Sequence, residues 1–234
     1  MAADRPVPFD LPDLPVLDAL PAVVTALATG GTAILVAPPG AGKTTLAPLV
    51  LLGEPWLAGR RIVMLEPRRL ATRAAAWRMA SLLGEEVGGT VGYQTRDERR
   101  IGPSTRIEVV TEGVLTRRLQ HDPTLDGYGL VIFDEVHERN LPTDLGLALL
   151  LDARDTLRPD LRVLAMSATP DTKGLLKVLG AGTPVATSDG RMHPVEVVWA
   201  PMAKQDRVQE AMASLVQRAV HEQPGDVLVF LPGI

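Results

Sequence analysis

Two short segments carry residues whose types and spacing could do chemistry on phosphate groups. The first is APPGAGKTT, residues 37–45, which fits the phosphate-loop pattern G-x-x-x-x-G-K-[ST] with alanine in place of the first glycine. Gly40 and Gly42 allow the backbone to turn its N–H groups inward, and Lys43 can reach the β- and γ-phosphates of a nucleotide. The hydroxyl of Thr44 can ligate Mg²⁺. The residues of this loop that are predicted to contact nucleotide are Gly40, Ala41, Gly42, Lys43, Thr44 and Thr45.

The second segment is VIFDEVHER, residues 131–139, in which an apolar run ends in two acids and a histidine. An NTPase with such a loop also needs an acid for the metal-bound water at the end of a neighbouring strand. Asp134 is predicted to hold Mg²⁺, mostly through water, and Glu135 to orient and deprotonate the attacking water. A lone Asp-Glu pair after a strand is common, so the prediction depends on the phosphate loop. This chemistry alone does not determine His137, because a single histidine is often structural.

Along the chain, short apolar runs alternate with longer helical patterns, and these elements must position the residues of the two segments. The apolar runs lack polar alternation, which predicts an α/β fold with a mainly parallel sheet covered by helices on both faces. The predicted strands are residues 32–36, 61–65, 107–110, 130–133 and 162–166. The predicted helices are residues 44–52, 70–83, 113–119, 143–153 and 171–179.

One stripe of the helix at residues 70–83 is predicted to pack on the sheet. Its members, which recur at helical spacing, are Leu70, Ala74, Trp77 and Ser81. Arg69 and Arg73 share another face of this helix, which is free to meet solvent or phosphate groups. The tryptophans of the chain are interpreted as packing residues and are Trp56, Trp77 and Trp199.

The composition limits the classes of function. The 234 residues are 46% hydrophobic and 22% charged, as in an ordinary globular protein. The absence of cysteine excludes disulfides and thiolate metal sites and is compatible with the cytoplasmic location that we predict. No apolar run approaches the roughly 20 residues that cross a bilayer. The formal net charge of −4 gives no global basic field, so nucleic acid would have to be bound by local arginines.

Several segments resemble, in order and spacing, the motifs of superfamily 2 helicases of the DEAH/RHA branch. DEVH with the following ER resembles the DExH signature, and GKTTLAP resembles motif I. The other similar segments are EPRR (motif Ia), GYQTR (hook-turn), TEG (motif Ib), SAT (motif III) and LVFLPG (motif IV). LEPRRLATRAAAWRMA, VTEGVLTRRL and GDVLVFLPG look most like bacterial HrpB-type helicases. Val136 and Pro170 depart from the usual residues of the branch, and neither position touches the nucleotide chemistry.

The resemblance implies roles in the nucleotide site that the residues alone leave open. It implies that His137 belongs to the catalytic set with Lys43, Asp134 and Glu135. Arg78 matches by position the arginine on which these enzymes stack the adenine, although an ordinary surface arginine would look the same in the sequence.

The resemblance also implies contacts with nucleic acid. Arg69 of motif Ia and Thr111 of motif Ib match residues that touch the backbone, and Arg96 in the hook-turn is a further candidate. A solvated basic face is the alternative for these arginines. Ser167 and Thr169 of the SAT segment are implied to couple hydrolysis to lobe movement, or they act only as a turn cap.

The sequence pattern and the resemblance together divide the chain into three predicted parts. Residues 1–15 are an irregular lead-in, and residues 16–190 form the first RecA-like, ATP-binding domain. Residues 191–234 form a linker and the incomplete start of a second RecA-like domain, with a helix at 206–221 and a strand at 226–230. Motifs V and VI, the remainder of the second lobe and the C-terminal domains of such helicases would lie beyond this chain.

The leading prediction is the N-terminal ATP-binding lobe of an ATP-dependent RNA helicase. It would use ATP or another NTP with Mg²⁺ and contact the backbone of single-stranded RNA or DNA with low sequence specificity. The arginine fingers of related NTPases contribute about 10³–10⁵ in rate and come from the second lobe of these helicases. The isolated chain is therefore alternatively a nucleotide- and RNA-binding module with little catalysis. A P-loop ATPase unconnected with nucleic acid would explain Lys43 and Asp134 but leaves EPRR, TEG and SAT as coincidences.

Overall fold

The computed structural model describes residues 11–190, 195–201 and 207–231, and the chain divides between residues 191 and 192 into two compact units. The first unit is built on a sheet whose strands are β1 (Thr32–Val36), β2 (Arg61–Leu65), β3 (Val91–Gln94), β4 (Arg99–Arg100), β5 (Ile107–Val110), β6 (Tyr128–Phe133), β7 (Arg162–Ser167) and β8 (Val185–Thr187). Its helices are α1 (Leu20–Gly30), α2 (Lys43–Leu52), α3 (Arg69–Leu82), α4 (Glu112–His121), α5 (Leu141–Thr156) and α6 (Lys173–Leu179).

The eight strands form one sheet in the order β4-β3-β5-β2-β6-β7-β1-β8. Neighbouring strands are parallel throughout, except that β4 pairs antiparallel with β3. The prediction of a mainly parallel α/β sheet is confirmed. In such a sheet the carboxyl ends of the parallel strands lie along one edge, which is where ligands bind in open α/β folds.

Alternate residues of the central strands face two separate apolar cores, because side chains in a strand point to opposite faces in turn. On one face, Leu35 and Met64 pack with α1, α2 and α3. On the other face, Val36 and Leu65 pack with α4 and α5. Both faces are covered by helices, which is why the strand sequences are continuously apolar.

The sequence patterns located most of these elements and missed four. The predicted strands at 32–36, 61–65 and 107–110 agree with β1, β2 and β5, and the predicted helices correspond to α2–α6 with shifted ends. The elements without a prediction are α1, β3, β4 and β8. Of these, β3 and β8 are only four and three residues long, too short for a clear period.

The prediction that one stripe of α3 packs on the sheet names the wrong residues. Leu70 is 79% exposed and Trp77 is 60% exposed, and Ala74 and Ser81 are exposed as well. The buried face consists instead of Thr72, Ala75, Ala76, Met79 and Ala80. Apart from Met79, the side chains on that face are small and allow the helix to lie close to the sheet, while Leu70 and Trp77 point outward.

The packing role predicted for the tryptophans holds for one of them. Trp56 is partly buried against the first core, and the guanidinium of Arg162 lies 4.5 Å from its ring centroid. For Trp77 the interpretation is wrong, as it is for Trp199, which is 87% exposed.

The second unit, taken by itself, contains helix α7 (Val208–Glu222), close to the predicted helix at 206–221. The strand predicted at residues 226–230 is wrong, since these residues form no regular structure. A strand requires a hydrogen-bonded neighbour, and the described residues of this unit supply none. The predicted lead-in and the LVFLPG segment lie partly outside the described residues. None of the helices in the described ranges is long and apolar enough to cross a membrane.

Candidate nucleotide and nucleic-acid site

The phosphate loop joins β1 to α2 and presents unpaired backbone donors. Gly40 and Gly42 have φ values of +79° and +93°, in the left-handed region that favours glycine. Helix α2 begins at Lys43. Within the described residues, the backbone N–H groups of Gly40, Gly42, Lys43 and Thr44 have no hydrogen-bond acceptor. A helix N-terminus with free N–H groups binds anions, so the loop can accept the phosphates of a nucleotide.

The acids of the DEVH segment meet this loop although they lie about 90 residues further along the chain. Strand β7 alone separates β6, which ends at Phe133, from β1. The Thr44 hydroxyl donates to Asp134 Oδ2 at 2.5 Å, and the Lys43 ammonium donates to Glu135 Oε1 at 2.9 Å. Lys43 is buried, and the Asp134 side chain has no exposed surface. The predicted nucleotide and metal residues are thus brought together at one edge of the sheet.

The hard oxygen atoms of Thr44 and Asp134 suit Mg²⁺. They are hydrogen-bonded to each other, so a single ion could be ligated by both after small shifts. Two protein oxygens leave most of the octahedral coordination of Mg²⁺ to phosphate and water, which is the usual arrangement at nucleotide sites. The donor set therefore fits the metal predicted from the sequence.

Burial shifts the protonation equilibrium of Asp134, the carboxyl predicted to ligate Mg²⁺. Burial raises the pKa of Asp134 to about 6, and the hydrogen bond from Thr44 and the charge of Lys43 oppose the rise. A cation bound at this carboxyl would favour its ionised form.

Glu66 is a functional candidate that the sequence interpretation missed. It follows β2 directly, is buried, and lines a cleft of about 340 Å³ together with Thr44, Thr45, Arg68, Arg78 and Glu135. Burial, followed by the charge of Asp134, raises its pKa to about 7. An acid directly after a buried strand is the same signal that identified Asp134, but EPRR was interpreted as a nucleic-acid segment only.

The turn after Asp134 is conformationally strained. Glu135 and Arg139 adopt φ values of +53° and +50° and flank the 3₁₀ turn Val136–Glu138. Residues other than glycine seldom adopt this region, and such strain is concentrated at functional sites. The Glu138 carboxylate is paired with Arg68, which connects the turn to the start of α3.

His137 connects the DEVH turn to the SAT segment. The backbone N–H of Ala168 donates to His137 Nδ1 at 3.3 Å, and the same nitrogen lies 3.2 Å from Glu135 Oε2. The Ser167 hydroxyl donates to the carbonyl of Thr169 at 2.9 Å and accepts from its N–H at 3.1 Å. The hydrogen bond between the two segments is thus made by Ala168, while Ser167 and Thr169 stabilise the SAT turn. Their coupling role stays a prediction.

The candidate nucleic-acid residues follow the other strands of the same edge. Arg69 lies at the start of α3 after β2, Arg96 follows β3, and Thr111 follows β5. Arg69 and Arg96 are exposed, whereas Thr111 is buried at the N-cap of α4. Strands β3, β5 and β2 are neighbours, and β6, β7 and β1 are the next three. The half formed by β6, β7 and β1 therefore carries the phosphate loop and the DEVH segment, and the other half carries the nucleic-acid candidates. Glu66, after β2, lies where the two halves meet.

Comparison with known proteins assigns the family. The model of the DEAD/DEAH box helicase family matches residues 20–178. The chain belongs to the DEAD/DEAH box helicases. It is 50% identical to the ATP-dependent RNA helicase HrpB of Escherichia coli (strain K12) over 94% of this chain and 27% of that protein. It is 36% identical to a probable ATP-dependent RNA helicase, the DHX35 homolog of Caenorhabditis elegans, over 86% of this chain and 29% of that protein.

Solved structures agree with the family assignment. The crystal structure of the Escherichia coli DEAH/RHA helicase HrpB matches with a TM-score of 0.86 and 49% identity, covering 95% of this chain and 28% of that chain. A crystal structure of the E. coli DExH-box NTPase HrpB matches with a TM-score of 0.76 and 49% identity, over 96% of this chain and 28% of that chain. The resemblance to DEAH/RHA helicases and their RecA-like fold is confirmed. This helicase chain spans less than a third of the length of these relatives.

The contact between Leu14 and the phosphate loop can be tested by substitution of the loop glycines. A Cβ at position 42 would lie 2.8 Å from Leu14 Cδ1, whereas a Cβ at position 40 would meet no atom within 4 Å. Both glycines have positive φ, so alanine costs conformational energy at either position. Gly42→Ala is expected to lower the free energy of unfolding by about 1 kcal/mol more than Gly40→Ala, because only the former displaces Leu14. Urea denaturation without nucleotide measures both, and equal losses would contradict a role for Leu14 under the loop.

Proposed function

We propose that this chain is the ATP-binding lobe of an ATP-dependent RNA helicase that couples NTP hydrolysis to movement on nucleic acid. The observation that carries the proposal is the pairing of Lys43 and Thr44 with Glu135 and Asp134 across β7. Family membership and the similarity to the RNA helicase HrpB and to the probable RNA helicase, the DHX35 homolog, support it. Unwinding is proposed only for a protein of the full length of those relatives, because this chain spans less than a third of them. A cytoplasmic location stays a prediction.

In the proposed mechanism the phosphates displace the internal ion pair of the cleft. The free N–H groups of the loop would bind the β- and γ-phosphates, and Lys43 would transfer its hydrogen bond from Glu135 to them. Thr44 and Asp134 would hold Mg²⁺, which neutralises charge on the phosphates when bound. Glu135, released from Lys43, would accept a proton from the attacking water.

Arg78 is proposed to contact the base. It lines the same cleft as Thr44, Thr45 and Glu66, and its side chain is exposed. A guanidinium plane can stack on any nucleobase, which supports weak discrimination among NTPs.

For the isolated chain, we propose nucleotide and RNA binding with very slow hydrolysis. In the structure Lys43 holds Glu135, so the carboxylate is not free to act as a base before nucleotide binds. The arginine fingers of related NTPases contribute about 10³–10⁵ in rate, and in these helicases they are expected from the second lobe. Turnover by this chain at the rate of a full helicase would contradict this alternative.

The deciding experiment is titration of a fluorescent ATP analogue with Mg²⁺, with and without single-stranded RNA, on wild type and Arg69→Ala. The variant is expected to bind nucleotide as wild type does and to weaken RNA binding by about three- to tenfold, since one phosphate contact is lost. Fluorescence anisotropy of a labelled oligouridylate measures the second quantity. RNA binding that does not depend on Arg69, or no RNA binding at all, would favour a P-loop ATPase unconnected with nucleic acid.

A further inference from the structure

Two acids of the hairpin between β3 and β4 are paired with the arginines of α3. Arg69 Nη1 lies 2.8 Å from Asp97 Oδ2, and Arg73 Nη2 lies 2.9 Å from Glu98 Oε2. Arg100, on β4, also reaches Glu98, at 3.4 Å. Arg69, which is proposed to contact a nucleic-acid phosphate, is therefore already bound to a carboxylate of the same chain.

The hairpin backbone places these acids. The N–H of Thr95 donates to the carbonyl of Glu98 at 2.8 Å, and the N–H of Glu98 donates to the Thr95 hydroxyl at 3.2 Å. Thr95 itself is buried. A hydrogen bond from Tyr93, together with nearby arginines, holds the pKa of Glu98 below its ordinary value. The acids are thus presented to α3 by a closed turn that is anchored in the protein.

A carboxylate and a phosphodiester offer a guanidinium the same kind of acceptor, an anionic pair of oxygens. A strand that binds Arg69 must therefore break the pair with Asp97 and leave that carboxylate near its own negative backbone. Arg96, in the turn between β3 and β4, is exposed and forms no ion pair with any described residue. It is free to contact a phosphate without such an exchange.

We propose that Asp97 and Glu98 compete with the phosphodiester backbone for Arg69 and Arg73 and thereby weaken the binding of single-stranded nucleic acid. The inference rests on the proposed function, because it concerns regulation of the same surface. A contact that is easily replaced from within the protein shortens the time that a strand remains bound. That property suits a lobe that must release and rebind a backbone during each cycle.

The test compares Asp97→Asn with wild type in the 234-residue chain. Binding of a fluorescein-labelled 12-nucleotide oligouridylate is measured by anisotropy at fixed ionic strength. Asp97→Asn is expected to tighten binding by about two- to fivefold, the range of an exposed ion pair. In the Arg69→Ala background the same replacement is expected to give less than half of that gain, since the arginine for which Asp97 competes is absent.

A matched control separates local competition from net charge. Asp155→Asn removes one negative charge at an exposed position of α5, which packs on the opposite face of the sheet from α3. An equal gain in Asp97→Asn and Asp155→Asn would overturn the proposal and indicate bulk electrostatics. Weaker binding in Asp97→Asn would also overturn it and would mean that Asp97 positions Arg69. If no variant binds the RNA, the proposed function itself fails; if wild type binds through Arg69 and Asp97→Asn has no effect, only the competition fails.

Discussion

Replacement of Lys43 by alanine is expected to lower the affinity for the magnesium complex of ATP by roughly 100-fold. Hydrogen bonds between charged groups contribute about 1.5–3 kcal/mol each, and about 1.4 kcal/mol corresponds to a tenfold change. Lys43 is buried against Glu135, so its ammonium is held at the phosphate loop before nucleotide arrives. Its removal leaves Asp134 and Glu135 without the cation that offsets their charge.

Titration of a fluorescent ATP analogue with Mg²⁺ measures this loss, and Lys177→Ala is the matched control. Lys177 is an exposed residue of α6 with the same charge. Lys177→Ala is expected to bind nucleotide as wild type does. A Lys43→Ala variant that retains wild-type affinity would show that the phosphates do not bind at this loop.

The nucleotide half of the edge could be predicted from the sequence because its signals are local. The phosphate loop and the DEVH segment each contain their chemistry within nine residues, and each follows an apolar run that becomes β1 or β6. The parallel sheet then brings the two segments together, since both follow the carboxyl end of a strand. What could not be predicted is which strand lies between them, because strand order depends on packing between distant segments.

The other half of the edge was predicted less completely because its properties depend on tertiary partners. The ion pair of Arg69 with Asp97 joins a helix to a hairpin about 28 residues away. The spacing of residues within a helix or a strand does not predict such a contact. The buried face of α3 was assigned wrongly because hydrophobicity was weighed above size. Ala75, Ala76 and Ala80 contact the sheet, where larger side chains would hold the helix further off.

The free energy of unfolding is expected to depend on pH through Glu66. Its pKa is about 7 in the folded protein against an ordinary value of 4.5. Between these two pH values the folded state therefore keeps a proton that the unfolded chain has lost. The contribution of Glu66 to the free energy of unfolding is therefore greatest below pH 4.5 and is lost as the pH rises through 7. At pH 8 the buried, ionised carboxylate costs about 3–4 kcal/mol, at about 1.4 kcal/mol for each tenfold change in the proton equilibrium.

Glu66→Gln removes that cost while keeping a side-chain oxygen that can accept the backbone N–H of Arg68, which Glu66 accepts at 3.3 Å. The free energy of unfolding of the variant is expected to exceed that of wild type by about 3–4 kcal/mol at pH 8 and to match it closely at pH 4.5, measured by urea denaturation at both values. Glu86→Gln makes the same chemical change at an exposed position and serves as the control. A Glu66→Gln variant that is less stable than wild type at pH 8 would mean that the charge is favourable in the cleft. The three acids would then be compensated by cations, and desolvation would not dominate their environment.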